Sequence, residues 1–256
     1  RMGNEEMQRC LSAWRFGTST GVGVENESRG LMPRKDEWSN RTRALTSVSF
    51  GQGIAVTPLQ LAQAYATLGS FGVHRPVAFT PVTGPAPGER VLPEQVTRDV
   101  VRMMESVVTQ GSGRKASVAG YRIAGKTGTT NESRDTWFNG YSRSVVATVW
   151  VGFDQAQPLG EGEEGSRTAV PIWIDFMRDA LAGVPQRGWP MPEGLVQARV
   201  SLETGALASV AAPDGIFETF MLDRMPTGGI LGGNEMAGVG SSGVGTVDPT
   251  TAEPIF

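Results

Sequence analysis

The 256-residue chain has one cysteine, Cys10, and one histidine, His74. An internal disulfide is therefore excluded, and so is a cysteine-based structural zinc site. A Ser–His or Cys–His catalytic pair would have to be built on that single imidazole. His74 precedes Arg75-Pro76 at the start of an expected strand and reads as a surface or packing residue. An excess of either charge is also missing. Lys and Arg number 23 against 26 Asp and Glu, a net charge of −3, which leaves no basic face for nucleic acid. No stretch approaches the ~20 consecutive apolar residues of a membrane span. The opening Arg1-Met-Gly-Asn-Glu-Glu6 has no apolar signal region, and a first residue other than Met reads as a piece of something longer. With 39% hydrophobic and 19% charged residues, wholesale disorder is excluded. The length is enough for one to two domains. The 34 Gly and 16 Pro make the chain loop-rich without a collagen period.

What is present is a series of short elements. Residues 4–14 read as a helix with Asn4 as N-cap and Glu5 and Glu6 in the first turn. Residues 15–56 read as irregular. Thr57-Pro58 opens a helix whose apolar line is Leu61, Tyr65 and Leu68. Short strands and turns are expected over 75–91. A helix from Leu92-Pro93-Glu94 follows, with Val96, Val100, Met103, Met104, Val107 and Val108 as its expected buried face. Two strands are expected, Tyr121–Thr130 and Arg143–Phe153, the second nearly continuous in apolar residues and so read as central. An acidic loop at Glu161, Glu163 and Glu164 reads as a solvated surface. A helix from Pro171 carries Trp173, Phe176, Met177, Ala180 and Leu181 as one stripe, with Gly183 as its C′ residue. A short strand or hairpin is expected around Glu203-Thr-Gly205. The last 30 residues hold eight glycines and read as a flexible tail. The domain reading is one partial domain over 1–226 and a tail over 227–256.

The first expected strand contains Ala124-Gly125-Lys126-Thr127-Gly128-Thr129-Thr130. Lysine and two glycines are poor strand formers, and glycine in a strand often marks close approach by another backbone or a ligand. Lys126 with the hydroxyls of Thr127 and Thr129 makes a cationic, hydrogen-bonding wall suited to a carboxylate. The Thr129 N–H can face a developing oxyanion. The plainer reading is an edge strand guarded by lysine. Lys-Thr-Gly is also one of three short motifs that mark penicillin-binding proteins and serine β-lactamases, beside Ser-x-x-Lys and Ser-Asp-Asn.

The surroundings extend that match. Gly51-Gln-Gly53 through Thr57-Pro-Leu-Gln-Leu-Ala-Gln-Ala-Tyr65, Pro87-Gly-Glu-Arg90 through Met104-Glu-Ser106, and Gly120-Tyr-Arg-Ile-Ala-Gly-Lys-Thr-Gly128 resemble the transpeptidase domain of penicillin-binding proteins. The resemblance runs over roughly residues 12–225 and has two parts. Residues 15–125 resemble a class B, division-type protein. Residues 126–225 resemble a bifunctional class A protein, through Lys126-Thr-Gly-Thr-Thr-Asn131, Asp135-Thr-Trp137-Phe138-Asn-Gly140-Tyr141, Val149-Trp-Val-Gly-Phe153 and Glu203-Thr-Gly205.

The resemblance implies an α+β fold of the serine β-lactamase-like kind, an antiparallel sheet flanked by helices, here N-terminally incomplete. It implies a peptidoglycan D,D-transpeptidase working through a serine acyl-enzyme. Lys126 and Thr129 would be catalytic, and Lys126, Thr127, Gly128 and Thr129 would bind substrate and β-lactam. Trp137, Phe138 and Tyr141, on a loop leading to the next strand, would either border the groove or pack beneath it. Stem peptides ending in D-alanyl-D-alanine and β-lactams are the implied ligands, divisome or elongation proteins the implied partners, and no metal or organic cofactor is called for. The implied setting is the cell envelope, anchored in the cytoplasmic membrane. The family's nucleophile and opposite wall are not found. No Ser-x-Asn occurs, and the single Ser-x-x-Lys, Ser112-Gly-Arg-Lys115, lies in a glycine-rich loop rather than at a helix start, so it reads as coincidence. A serine β-lactamase or carboxypeptidase relative and a non-catalytic binding module are the competing readings.

Overall fold

A computed structural model describes residues 3–34, 37–38, 43–186, 189, 195–209 and 211–226. The chain divides after Trp189 into two compact units. The tail expected over 227–256 lies outside the described residues.

In the first unit the helices are α1 (Asn4–Ala13), α2 (Arg43–Ser49), α3 (Pro58–Gly69), α4 (Glu94–Thr109) and α5 (Ala169–Ala180). A two-residue ladder pairs β1 (Val73–His74) with β2 (Glu89–Arg90). Among the described residues the principal sheet has three antiparallel strands, β3 (Ala124–Thr129), β4 (Asp135–Tyr141) and β5 (Val146–Gly152), in the order β3-β4-β5. The second unit holds one antiparallel hairpin, β6 (Leu195–Ser201) with β7 (Gly215–Met221), and Glu203–Gly205 lies in its connection.

Three expectations about these elements are corrected. The segment read as a loop carrying Trp137, Phe138 and Tyr141 is strand β4, and it is the middle of the sheet. The apolar run at 145–151 falls mostly in β5, and among the described residues no strand pairs with its outer side, so it stands at an edge of the sheet. It is nonetheless covered on both faces, by α3 on one and α5 on the other, and this explains why its residues do not alternate. Gly3, not Asn4, is the N-cap of α1: the Gly3 N–H donates to the Glu6 carboxylate at 2.8 Å, while Asn4 lies inside the helix and its side-chain amide donates to the Trp38 carbonyl at 2.5 Å.

The helices start where their caps allow. The Thr57 hydroxyl accepts from the Gln60 N–H at 3.1 Å, and the Gln60 side chain accepts from the Thr57 N–H at 2.9 Å. This reciprocal box, with proline at the first helical position, starts α3. The face α3 buries is Gln60, Gln63, Ala64, Thr67 and Leu68 rather than the Leu61–Tyr65 line. Its polar members are buried because they are satisfied: the Gln60 amide donates to the carbonyls of Thr18 and Arg29, and that of Gln63 to Arg75. In α4 the buried face is turned by one residue from the expected one. Thr97, Val101, Met104, Glu105 and Val108 are inside, while Val96 is 52% and Met103 65% exposed. In α5, Ala169, Val170, Trp173 and Met177 are buried, and Phe176 points outward.

The sheet separates two cores. On the α5 side, Phe138 packs edge-to-face on Trp173 with ring centroids 5.0 Å apart, among Ile123, Ala147, Val170 and Met177. The Trp173 indole N–H donates to the Ala147 carbonyl at 3.0 Å. On the α3–α4 side, Tyr141 packs with Leu68, Val101, Met104 and Ala124. His74 stands in β1 opposite Glu89. Burial, and then the charge of Arg15, push its pKa down.

Candidate active site

The motif strand β3 lies at one edge of the sheet, and its register decides what that edge presents. Lys126 faces Asn139, Thr127 faces Phe138, Gly128 faces Trp137 and Thr129 faces Thr136. Just past the strand, the Thr130 N–H donates to the Asp135 carbonyl at 3.0 Å. Antiparallel ladders alternate bonded and non-bonded pairs. Gly128–Trp137 and Lys126–Asn139 are therefore bonded pairs, and the N–H and C=O groups of Thr127 and Thr129 turn away from β4. Among the described residues no strand pairs with that outer edge. The Lys126 ammonium confirms the direction: its Nζ donates to the Thr127 carbonyl at 2.7 Å, an acceptor that β4 would otherwise occupy.

Side chains alternate across the same strand. Ala124, Lys126 and Gly128 belong to the α3–α4 face, where Ala124 is fully buried and Lys126 exposed. Thr127 and Thr129 belong to the α5 face. There the Thr127 hydroxyl lies 3.0 Å from the Ser112 hydroxyl. The Thr129 hydroxyl accepts from the Gly165 N–H at 3.1 Å. A Cβ at Gly165 would meet the Trp137 carbonyl oxygen at 2.5 Å and that of Gly128 at 2.8 Å. Gly128 is thus approached closely by another backbone, as a glycine in a strand suggests. Gly125 has a different reason, since a Cβ there would meet the Phe138 ring at 2.7 Å.

The motif runs into a tight turn. Glu132 and Ser133 both adopt positive φ, 60° and 49°, a region that non-glycine residues rarely occupy. The turn is fastened by the Asp135 N–H donating to the Thr130 hydroxyl at 2.8 Å and the Trp150 indole donating to Asp135 Oδ1 at 2.9 Å. A cavity of about 360 Å3 opens here, between Gly51–Ile54 and residues 130–135, with Gln52, Asn131, Glu132 and Arg134 on its wall. It starts one residue past the motif, so Lys126 stands beside this end of the sheet but not on the cavity wall.

The structure therefore brings Lys126, Thr127, Gly128 and Thr129 together along one open edge. It keeps Trp137 half-buried on the same face as Gly128 and removes Phe138 and Tyr141 from any groove. Both are fully buried in the cores, and burial pushes the Tyr141 hydroxyl far above the usual phenol range. Ser112 remains in its loop, immediately before the short 3₁₀ turn Arg114–Ala116. It is nevertheless a neighbour of the motif. Gly165 carries no local signal, being 36 residues from its partner. Among the described residues no cluster of His, Cys, Asp and Glu could hold a metal ion.

Comparison with known proteins decides the family. Residues 1–178 match the family model described as the penicillin binding protein transpeptidase domain. The chain belongs to the penicillin-binding protein transpeptidase family. Among its relatives are the peptidoglycan D,D-transpeptidase FtsI of Escherichia coli (strain K12), 52% identical over 122 residues, and penicillin-binding protein 1A of Pseudomonas aeruginosa, 40% identical over 143. These matches cover 47% and 56% of this chain, and 20% and 17% of the relatives. The chain thus spans about one fifth of the length of the curated relatives it matches, and it resembles both the class B and the class A branches. The apo transpeptidase domain of Burkholderia pseudomallei penicillin-binding protein 3 is 28% identical with a TM-score of 0.60, covering 75% of this chain and 60% of that one. The α+β architecture is that of the penicillin-binding transpeptidases. Among the described residues no helix is long and apolar enough to cross a membrane.

Proposed function

We propose that this chain is the C-terminal part of a peptidoglycan D,D-transpeptidase and supplies the Lys-Thr-Gly wall of its cleft. The observation that carries the reading is the outer edge of β3, where among the described residues no strand pairs with the backbone groups of Thr127 and Thr129, and where the exposed Lys126 ammonium rests on the Thr127 carbonyl. An extended peptide can add to such an edge through main-chain hydrogen bonds. Its terminal carboxylate would pair with Lys126 and with the motif hydroxyls. The scissile carbonyl, one residue in from a D-alanyl-D-alanine end, would then lie near the Thr129 N–H, which serves as half of an oxyanion hole.

In the reaction, a serine hydroxyl attacks that carbonyl, its proton passing to a lysine base. The C–N bond breaks, D-alanine leaves, and an ester acyl-enzyme forms. An amine of a neighbouring stem peptide then attacks the ester, forms the new amide and releases the serine. β-Lactams resemble the D-alanyl-D-alanine end and stall at the ester. The serine, its lysine and the Ser-x-Asn wall are not furnished by this chain, so alone it binds without turning over. The setting is the cell envelope, with the domain outside the cytoplasmic membrane and divisome or elongation proteins as partners.

A non-catalytic binding module is the second reading, favoured by the absence of any Ser-x-Asn. Calorimetric titration with diacetyl-Lys-D-Ala-D-Ala and with its C-terminal amide tests the carboxylate claim. The free acid is expected to bind and the amide to bind about tenfold more weakly, the worth of one charge-assisted hydrogen bond. Equal binding of the two would contradict it. Reconstitution with the remaining part of a parent protein separates the two readings, since only the transpeptidase would then take a covalent penicillin label.

A further inference from the structure

A second cavity, of about 420 Å3, lies at the other end of the sheet from the Thr130–Asp135 turn. Its floor is the β4–β5 turn and the start of β5, and its walls are α3 and the segment between β1 and β2. That size falls within the roughly 300–1,000 Å3 of ordinary small-molecule sites. Ala66, Val77, Val82 and Val146 make its surface largely apolar. Two arginines, Arg75 and Arg143, are among the lining residues, and no aspartate or glutamate is.

Among the described residues the Arg75 guanidinium takes part in no ion pair, and its Nε is shut off from solvent with no hydrogen-bond partner. The backbone that carries it is fixed, because the Gln63 side-chain amide, on the buried face of α3, donates to the Arg75 carbonyl at 3.2 Å. The facing turn is fixed as well. The Ser142 hydroxyl accepts from the N–H groups of Ser144 and Val145, both at 3.1 Å. The backbone around the chamber is therefore held in place, with Arg75 among its lining residues and no acidic residue there.

We propose that this chamber binds an amphipathic carboxylate, an unbranched apolar chain lying against Ala66, Val82 and Val146 with its carboxyl group on the Arg75 guanidinium. The planar fork of arginine matches a carboxylate bidentately, and the apolar wall favours a body with no polar groups to desolvate. A cationic head would meet the like charge of Arg75. This site is separate from the β3 edge and does not depend on the reading of Lys126.

Decanoate below its micellar concentration is the probe, with 1-decanol and decyltrimethylammonium as controls. It is titrated into the purified chain by calorimetry and followed on valine methyl resonances. Saturable one-to-one binding is expected, with shifts centred on Val77, Val82, Val145 and Val146. Decanol is expected to bind about tenfold more weakly and the ammonium compound not measurably, again the worth of one charge-assisted hydrogen bond. Arg75→Gln is expected to bring decanoate down to the decanol level and leave decanol unchanged. Ala66→Trp, made at an exposed helix position so that the indole fills the chamber, is expected to abolish both. Lys126→Ala is expected to leave the decanoate affinity unchanged while weakening D-alanyl-D-alanine peptide binding, which separates this site from the motif edge. Failure of decanoate to saturate, decanol binding as tightly as decanoate, an unaffected Arg75→Gln variant, or shifts centred on Thr127 and Thr129 would each overturn the proposal.

Discussion

Replacing Gly165 by alanine should disturb the motif strand from outside it. Gly165 does not occupy a positive-φ conformation, so an added methyl meets only its surroundings. Those surroundings are rigid: the Trp137 carbonyl oxygen would stand 2.5 Å and the Gly128 carbonyl oxygen 2.8 Å from the new carbon. Close carbon–oxygen contacts lie near ~3.3 Å, so the segment has to retreat by about 0.8 Å. Over-packing of this kind costs about 1–3 kcal/mol. The retreat also stretches the 3.1 Å bond from the Gly165 N–H to the Thr129 hydroxyl, worth about 1 kcal/mol. At about 2–4 °C per kcal/mol for a chain of this size, the loss of about 2–4 kcal/mol lowers Tm by roughly 4–16 °C. Thermal unfolding by circular dichroism measures this. Gly84→Ala, at a position with nothing within 4 Å, is the matched control and should leave Tm unchanged. In amide spectra the Thr129 resonance should move in the Gly165 variant and stay in the control. A Gly165→Ala protein that melts with the wild type, its Thr129 amide unmoved, would show that the loop before α5 does not hold the motif.

Lys126→Ala should weaken binding of a D-alanyl-D-alanine-ended peptide about tenfold without lowering Tm, since the side chain is exposed. The unaltered chain should take no denaturation-resistant label from a fluorescent penicillin. Stoichiometric labelling, lost in Ser112→Ala, would instead make Ser112 the nucleophile. Phe138→Ala should cost about 3–5 kcal/mol and Trp137→Ala clearly less, measured by denaturant unfolding; equal costs would contradict the assignment of Phe138 alone to the core. Glu105 is buried and paired with Arg122, whose Nε and Nη2 donate to its two carboxylate oxygens at 2.8 and 2.9 Å. Burial pushes its pKa up and Arg122 offsets part of that rise. The native state then holds the proton to higher pH than the unfolded state. The contribution of Glu105 to stability is greatest below the usual carboxylate pKa and falls as pH rises through the native one. Glu105→Gln should therefore gain in Tm relative to wild type between pH 4 and pH 7; the opposite trend would mean that the Arg122 pair dominates.

The parts legible in the sequence are those with local causes. Thr57-Pro58 signals a cap because the box closes within four residues. Lys126 with its glycines signals an unusual strand because no packing argument favours them there. The parts that were not legible depend on distance. β4 is buried on both faces, so Asp135–Tyr141 shows no clean alternation. In α4 two apolar lines run side by side, and hydropathy cannot choose between them. Thr97 wins a buried place because its hydroxyl donates to the Pro93 carbonyl at 2.8 Å, and Glu105 because Arg122 meets it. The partnership of Gly165 with Thr129 spans three elements and leaves no periodic trace. Ser112 was visible as a motif match, but its contact with Thr127 arises only when the loop after α4 folds back on β3.

The central claim is that β3 offers an open, lysine-flanked edge to a carboxylate-ended peptide. Amide spectra recorded through a titration of diacetyl-Lys-D-Ala-D-Ala test it most directly. The account predicts saturable shifts and slowed hydrogen exchange at the outward amides of Thr127 and Thr129, little change at Gly128, whose N–H faces β4, and the same pattern in Lys126→Ala only at about tenfold higher peptide. Shifts that spread evenly over Thr127, Gly128 and Thr129, or a midpoint unmoved without the lysine, would contradict it.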